Sequence, residues 1–202
     1  MAISDNDRQA IEAAFDAAQR RTSAPLIGVM AEASSDYALA PLLGSFLVAL
    51  ATPWPLLLFT AVSAQRIFAV QLLVVLVALA LFSFPRLRVA LTPMPVRKNL
   101  AHRAALVQFV ARGGERAAGR NTVLIYVSLA ERYARVIAGE AAATKISAAE
   151  WQRLIDALTQ KIAAEGEKQA LTEAAERAAD LLAPHFPGES GDVPRLTHFH
   201  LM

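Results

Sequence analysis

From Tyr37 to Gln65 the chain runs 29 residues without a formal charge, and after Arg66 it runs another 19, from Ile67 to Pro85. A helix that crosses a bilayer needs about 20 mostly apolar residues. The stretch therefore predicts two spans, near 39–61 and 67–84, joined as a hairpin. The second is the cleaner: IFAVQLLVVLVALALFSF carries one amide, Gln71. The first contains Pro53 and Pro55, with Trp54 between them. Each proline removes a backbone donor and should kink or break the helix. Membrane spans tolerate that defect where neighbours satisfy the freed backbone groups. Two core helices of a soluble protein are the opposing expectation, and stretches of this length disfavour it. Residues 1–21 are polar and partly acidic, so they do not read as a cleavable signal peptide.

Charge near the span ends sets the expected orientation. Arg20 and Arg21 precede the first span, and Arg86, Arg88, Arg97, Lys98 and Arg103 follow the second, whereas the connecting tip holds only Arg66. Two spans put both flanks on one side, and the basic flanks predict the cytoplasmic side of a bacterial inner membrane. No acid occurs between Asp36 and Glu115. Arg86, Arg88, Arg97 and Lys98 are therefore candidate contacts for anionic headgroups, on top of the topogenic role such charges ordinarily have. The lipid bilayer is the first expected partner.

Composition closes other routes. The chain has no cysteine, which excludes disulfides, zinc–thiolate and iron–sulfur sites and a cysteine nucleophile. A formal net charge of +2 gives no footprint for nucleic acid. With 55% hydrophobic residues and a mean hydropathy of +0.36, disorder is excluded too. Transport is disfavoured, because no ionisable group lies inside either span. Gln71 and Ser45 are suited instead to helix–helix association.

The flanking segments read as α/β. Residues 4–20 form an amphipathic helix capped by Ser4, with Ile11, Ala14, Phe15 and Ala18 on one face. PLIGVMAEA (25–33) reads as a buried strand. After the hairpin, 99–112 looks helical, with Leu100, Ala104, Val107 and Ala111 at helical spacing and Gly113-Gly114 as its stop. TVLIYVSL (122–129) is the strongest strand, and 133–138 pairs with it as a hairpin. Ser147 to Glu150 is a capping box; Trp151, Leu154, Ile155, Leu158 and Ile162 follow as a helical face, then a helix over about 168–182 ended by Pro184 and Pro187. From Gly188 the chain reads as a flexible tail. The first piece, about 36 residues with one strand, is too small for a core of its own. One α/β domain (1–36 and 86–188) interrupted by the hairpin (37–85) is the economical organisation, with 189–202 outside it.

This order resembles the TPM domain family, also described as thylakoid acid phosphatase-like, in its bacterial branch with two transmembrane helices inserted in the domain. The likeness is carried by RTSAPLIGV (21–29), HRAALVQFVARG (102–113), TVLIYVSLAERYARVIAG (122–139), ISAAEWQRLIDALTQKI (146–162) and LLAPHFPG (181–188). It implies a small central sheet with flanking helices. It also implies a link to acid phosphatase activity, or to calcium binding through acidic residues. Where relatives close the segment after SLAER with an acid and then a glycine, this chain has Gly139 and Ala141, and Glu167-Lys168-Gln169-Ala170 lacks an Asp-Gly pair.

The acids left at predicted loop ends are Asp36, Glu131 and Glu140. Asp36 and Glu131 are expected to approach each other at strand ends, as a weak site for calcium or magnesium to which Glu140 is a third candidate ligand, or as solvated loop carboxylates, or with Glu131 in a salt bridge to Arg132 or Arg135. A calcium cage needs 6–8 oxygens. His198 and His200 lack an acid or cysteine neighbour to complete a ligand set, and His102 and His185 lack a sequence-adjacent partner for general-base work. Ser128 is not in a G-x-S-x-G elbow. The sequence favours a binding or accessory module with membrane or cytoplasmic protein partners. A divalent-metal-dependent phosphatase is the alternative.

Overall fold

The computed structural model describes residues 4–35, 37, 39–60, 63–84, 90, 92–112, 120–188 and 199–201. Asp36, Arg86, Arg88, Gly113-Gly114 and His198 lie outside these. The chain divides into two units, 1–34 with 101–202, and 35–100.

The first unit is an α/β domain. Helix α1 (Asp5–Gln19) starts at Ser4, whose Oγ accepts the N–H of Asp7 at 3.2 Å. Strand β1 (Leu26–Ala31) pairs in parallel with β2 (Val123–Ser128), Leu26 opposite Val123 and Ala31 opposite Ser128. Strand β3 (Tyr133–Ala138) returns antiparallel to β2, as the predicted hairpin requires. Strand β4 (Phe199–Leu201) adds to the other side of β1 in parallel, giving the order β3-β2-β1-β4. This last strand corrects the expectation of a flexible tail at 199–201. Phe199 is fully buried, and its ring lies 5.8 Å from that of Phe15. An aromatic anchor was hidden in a stretch read only for its polar and turn-forming content.

All six residues of β2 are buried, because the sheet is covered on both faces. Val123, Ile125 and Val127 join Leu26 and Met30 in the larger core. That core is closed by α1, α7 (Ala148–Glu165) and α8 (Glu167–Leu182). The capping box from Ser147 to Glu150 opens α7 as predicted. Five alanines of α8, at 170, 174, 175, 178 and 179, are buried with Leu171 and Leu182. Small side chains let α8 lie close to α1, β1 and α7. A short helix, α6 (Glu140–Lys145), has no counterpart in the sequence reading.

The other face is covered by α5 (Met94–Ala111), through Ala101, Ala105 and Phe109 against Val29, Leu124 and Tyr126. This corrects the stripe expected for that helix: Val107, placed on its inner face by periodicity, is 63% exposed. Two stripes at helical spacing exist on α5, and the sheet takes the one with small residues.

The second unit holds α2 (Leu39–Ala51), α3 (Pro53–Phe59) and α4 (Ala64–Phe82). Its two apolar stretches, Leu42–Phe59 and Ala64–Phe82, are long and apolar enough to cross a membrane. The first is interrupted at Thr52, where Pro53 begins α3. In an unbroken helix the N–H of residue 53 would bond to the carbonyl of Ala49, but proline has none. Gln71 of α4 supplies the missing donor: its Nε2 donates to the Ala49 oxygen at 3.0 Å. Gly44 makes room for the Phe82 ring, whose nearest carbon lies 2.9 Å from where a Cβ would stand.

Candidate functional site

Parallel pairing brings the carboxyl ends of β1 and β2 side by side, and the chain leaves both there. Backbone bonds extend the pairing past the strands, with Leu129 N–H donating to Ala31 O at 3.1 Å and Ala130 N–H to Glu32 O at 3.0 Å. The turn into β3 then closes at Arg132, which adopts a left-handed φ of 48°. A non-glycine residue rarely sits there.

That turn folds Glu131 inward, leaving it 1% exposed. Its Oε1 accepts the backbone N–H of Ser34 at 2.9 Å. Its Oε2 accepts the Ser128 hydroxyl and lies 3.3 Å from the Ser34 hydroxyl. Ser34 Oγ is also 2.8 Å from Ser128 Oγ and 2.9 Å from the Tyr126 hydroxyl. One proton order satisfies the set: Tyr126 donates to Ser34, Ser34 to Ser128, and Ser128 to the carboxylate. Burial pushes the Tyr126 phenol above its ordinary pKa, against the opposing effect of the Ser34 hydrogen bond. Tyr126 thus keeps its proton and its role as donor. The cluster ties the segment after β1 to the turn after β2.

Beside it opens a cavity of ≈ 420 Å³. Ser128, Leu129, Arg132 and Tyr133 line one side, and Thr159 and Ile162 of α7 line the other. Its volume is that of a small-ligand pocket.

The three acids proposed from sequence fare differently. Glu131 is in the cluster. Glu140 is at the far end of β3, roughly 20 Å away for a six-residue strand, and pairs with Arg120 at 2.8 Å. The structure does not bring these two together. Asp36 falls outside the described residues, so its expected approach to Glu131 is not visible. Among the described residues no three His, Asp or Glu side chains gather as a metal cluster. Of the basic candidates, Lys98 is exposed and Arg97 half-buried on α5. His102 is half-buried on α5, and burial, reinforced by the charge of Arg135, pushes its pKa down. His185 is exposed after α8, and His200 lies on β4.

Sequence reasoning missed Ser34 and Tyr126, and dismissed Ser128 for want of a nucleophile motif. A hydroxyl three residues before an acid in a strand-ending turn was the legible half of this cluster. Ser34 arrives through parallel pairing across residues 35–122, which no local signal announces.

A search of the curated proteins finds no match for the chain. Among solved structures it is similar to the NMR structure of the BA42 protein from the psychrophilic bacterium Bizionia argentinensis, with a TM-score of 0.60 and 14% identity, over 100% of this chain and 97% of that one. That likeness is one of fold. Residues 87–181 match the TPM domain. Over residues 87–181, then, the chain is similar to the TPM domain family, and those residues include β2 and β3 of the four-stranded α/β fold described above.

Proposed function

We propose that this protein is a membrane-anchored TPM-domain protein of a bacterial inner membrane, with both termini cytoplasmic, acting as a binding or accessory module. The observation that carries the reading is the surface of the apolar unit. Phe46, Leu58, Phe59 and Phe68 are between 64% and 84% exposed, and most other large side chains of α2, α3 and α4 are exposed as well. Soluble monomers rarely expose contiguous apolar patches beyond a few hundred Å². Lipid tails are the solvent that such a surface matches.

Binding is favoured over catalysis by the state of Glu131. Its oxygens are engaged by the Ser34 amide and the Ser128 hydroxyl, and these bonds hold a turn in place. The test is extraction of membranes with alkaline carbonate, followed by reporter fusions at the C-terminus. Retention in the pellet, with activity of a cytoplasm-dependent reporter, supports the reading. Release into the supernatant, or activity only of a periplasm-dependent reporter, overturns it.

A divalent-metal-dependent phosphatase is the second reading, favoured by the cavity that opens beside Ser128 and Arg132. It requires calcium or magnesium held at Glu131 with a contribution from Asp36. Titration of the full chain in detergent with each ion, followed by a phosphomonoester assay, decides it. Saturable binding and turnover lost in Asp36→Ala support this reading, and no binding at millimolar ion removes it.

A further inference from the structure

We infer that the outward face of α5 lies in the headgroup region of the bilayer, so that the α/β domain is seated on the membrane by this helix as well as tethered to it. The inference rests on the anchoring reading above.

A helix that covers a sheet ordinarily turns polar residues outward. Here the inner stripe is Ala101, Ala105 and Phe109, and the outer face carries Leu106, Val107 and Val110, 40%, 63% and 47% exposed. The helix is apolar on two opposite sides. Arg103, exposed, sits one turn before Val107 on that outer face. Along its length α5 also carries Arg97 and Lys98 and no acid.

Apolar side chains mixed with cations, without acids, suit the boundary between acyl chains and anionic headgroups, where such a helix sinks about 5–10 Å. Arginine there buries its stem and keeps its head in the headgroup layer. A second copy of the helix suits the face less well. Pairing like faces would bring Arg103 into an apolar seam opposite its own copy, with no acid to meet it. The chain also keeps α5 near the bilayer, since only residues 83–93 separate it from the end of α4.

The absence of cysteine lets single labels report position. Three variants of the full chain, Val107→Cys, Leu73→Cys on α4 and Glu176→Cys on the exposed side of α8, each carry a nitroxide. They are reconstituted in discs of phosphatidylethanolamine and phosphatidylglycerol. Accessibility to oxygen is compared with accessibility to a water-soluble nickel chelate. The expected oxygen-to-nickel ratio at Val107 is several-fold above that at Glu176 and below that at Leu73. A Val107 ratio equal to that at Glu176, with Leu73 still lipid-like, overturns the seating and leaves the anchor intact. An aqueous Leu73 overturns the anchor and the inference together. Line broadening at Val107 that disappears on dilution with unlabelled protein assigns the face to a second copy and overturns the inference.

Discussion

At the scale of single residues, two positions carry more than their size suggests. Gly28 is a glycine because the Phe15 ring rests on it: a Cβ there would stand 2.5 Å from the ring. Phe15 is fully buried and has no room to withdraw. Gly28→Ala should therefore cost about 1–3 kcal/mol, the range for overpacking a core, read as a lower midpoint in chemical unfolding. Glu131→Ala should cost a similar ~1–3 kcal/mol, because it strands the Ser34 amide and the Ser128 hydroxyl that the carboxylate satisfies. Glu131→Gln, which keeps an acceptor, should recover part of that loss in the same measurement. His102 gives a pH dependence whose sign follows from burial. Its folded pKa lies below the ordinary value of about 6.5. Above that value both states are neutral and its contribution is complete. As pH falls through 6.5 the unfolded chain takes the proton first, so stability drops until the folded pKa is passed. Thermal midpoints at pH 7.5 and 5.5 should differ less in His102→Gln than in the parent.

At the scale of elements, the clearest case is the repaired break in the apolar hairpin. Pro53 leaves the Ala49 carbonyl without its helical donor, and Gln71 replaces it from the facing helix. Gln71→Leu should lower the thermal midpoint of the full chain in detergent, by the equivalent of about 1–2 kcal/mol for an interhelical polar bond in apolar surroundings. Adding Pro53→Ala should recover most of it, because residue 53 then donates within its own helix. Failure of the second substitution to rescue the first would show that Gln71 matters for some other contact. The sequence marked both residues, one as a defect and the other as a lone polar group. Only the pairing of α2 with α4 shows that each answers the other. Local capping signals were legible in full: Ser4 and the Ser147–Glu150 box begin helices where they were expected. The buried stripe of α5 was not, since Val107 and Phe109 both lie on stripes at helical spacing and only the sheet chooses between them.

At the scale of the whole chain, the sheet is assembled from distant parts. β1 and β2 pair in register although residues 32–122 lie between them, and β4 arrives from the far end of the sequence. The entropy of closing so long a loop grows only logarithmically with its length, so an insertion between paired strands is affordable. The contribution of β4 is measurable through Phe199, fully buried against Phe15. Phe199→Ala should lose about 3–5 kcal/mol, typical of a large cavity in a core, whereas a solvent-exposed tail would register no change.

The sequence by itself determined the apolar hairpin, the α/β class, the β2–β3 pair and the two helix starts capped by Ser4 and Ser147. Each of these is set by neighbours within a few residues: an uncharged run, a branched cluster, a hydroxyl three residues before an acid. The tertiary structure decided the rest. It placed Ser34 and Tyr126 around Glu131, separated Glu131 from Glu140 by the length of β3, made a strand of 199–201 and turned Val107 outward. Those outcomes depend on which strands lie side by side and on which face of a helix is taken by a sheet. Hydrophobic burial settles both collectively, and no short window of sequence encodes either.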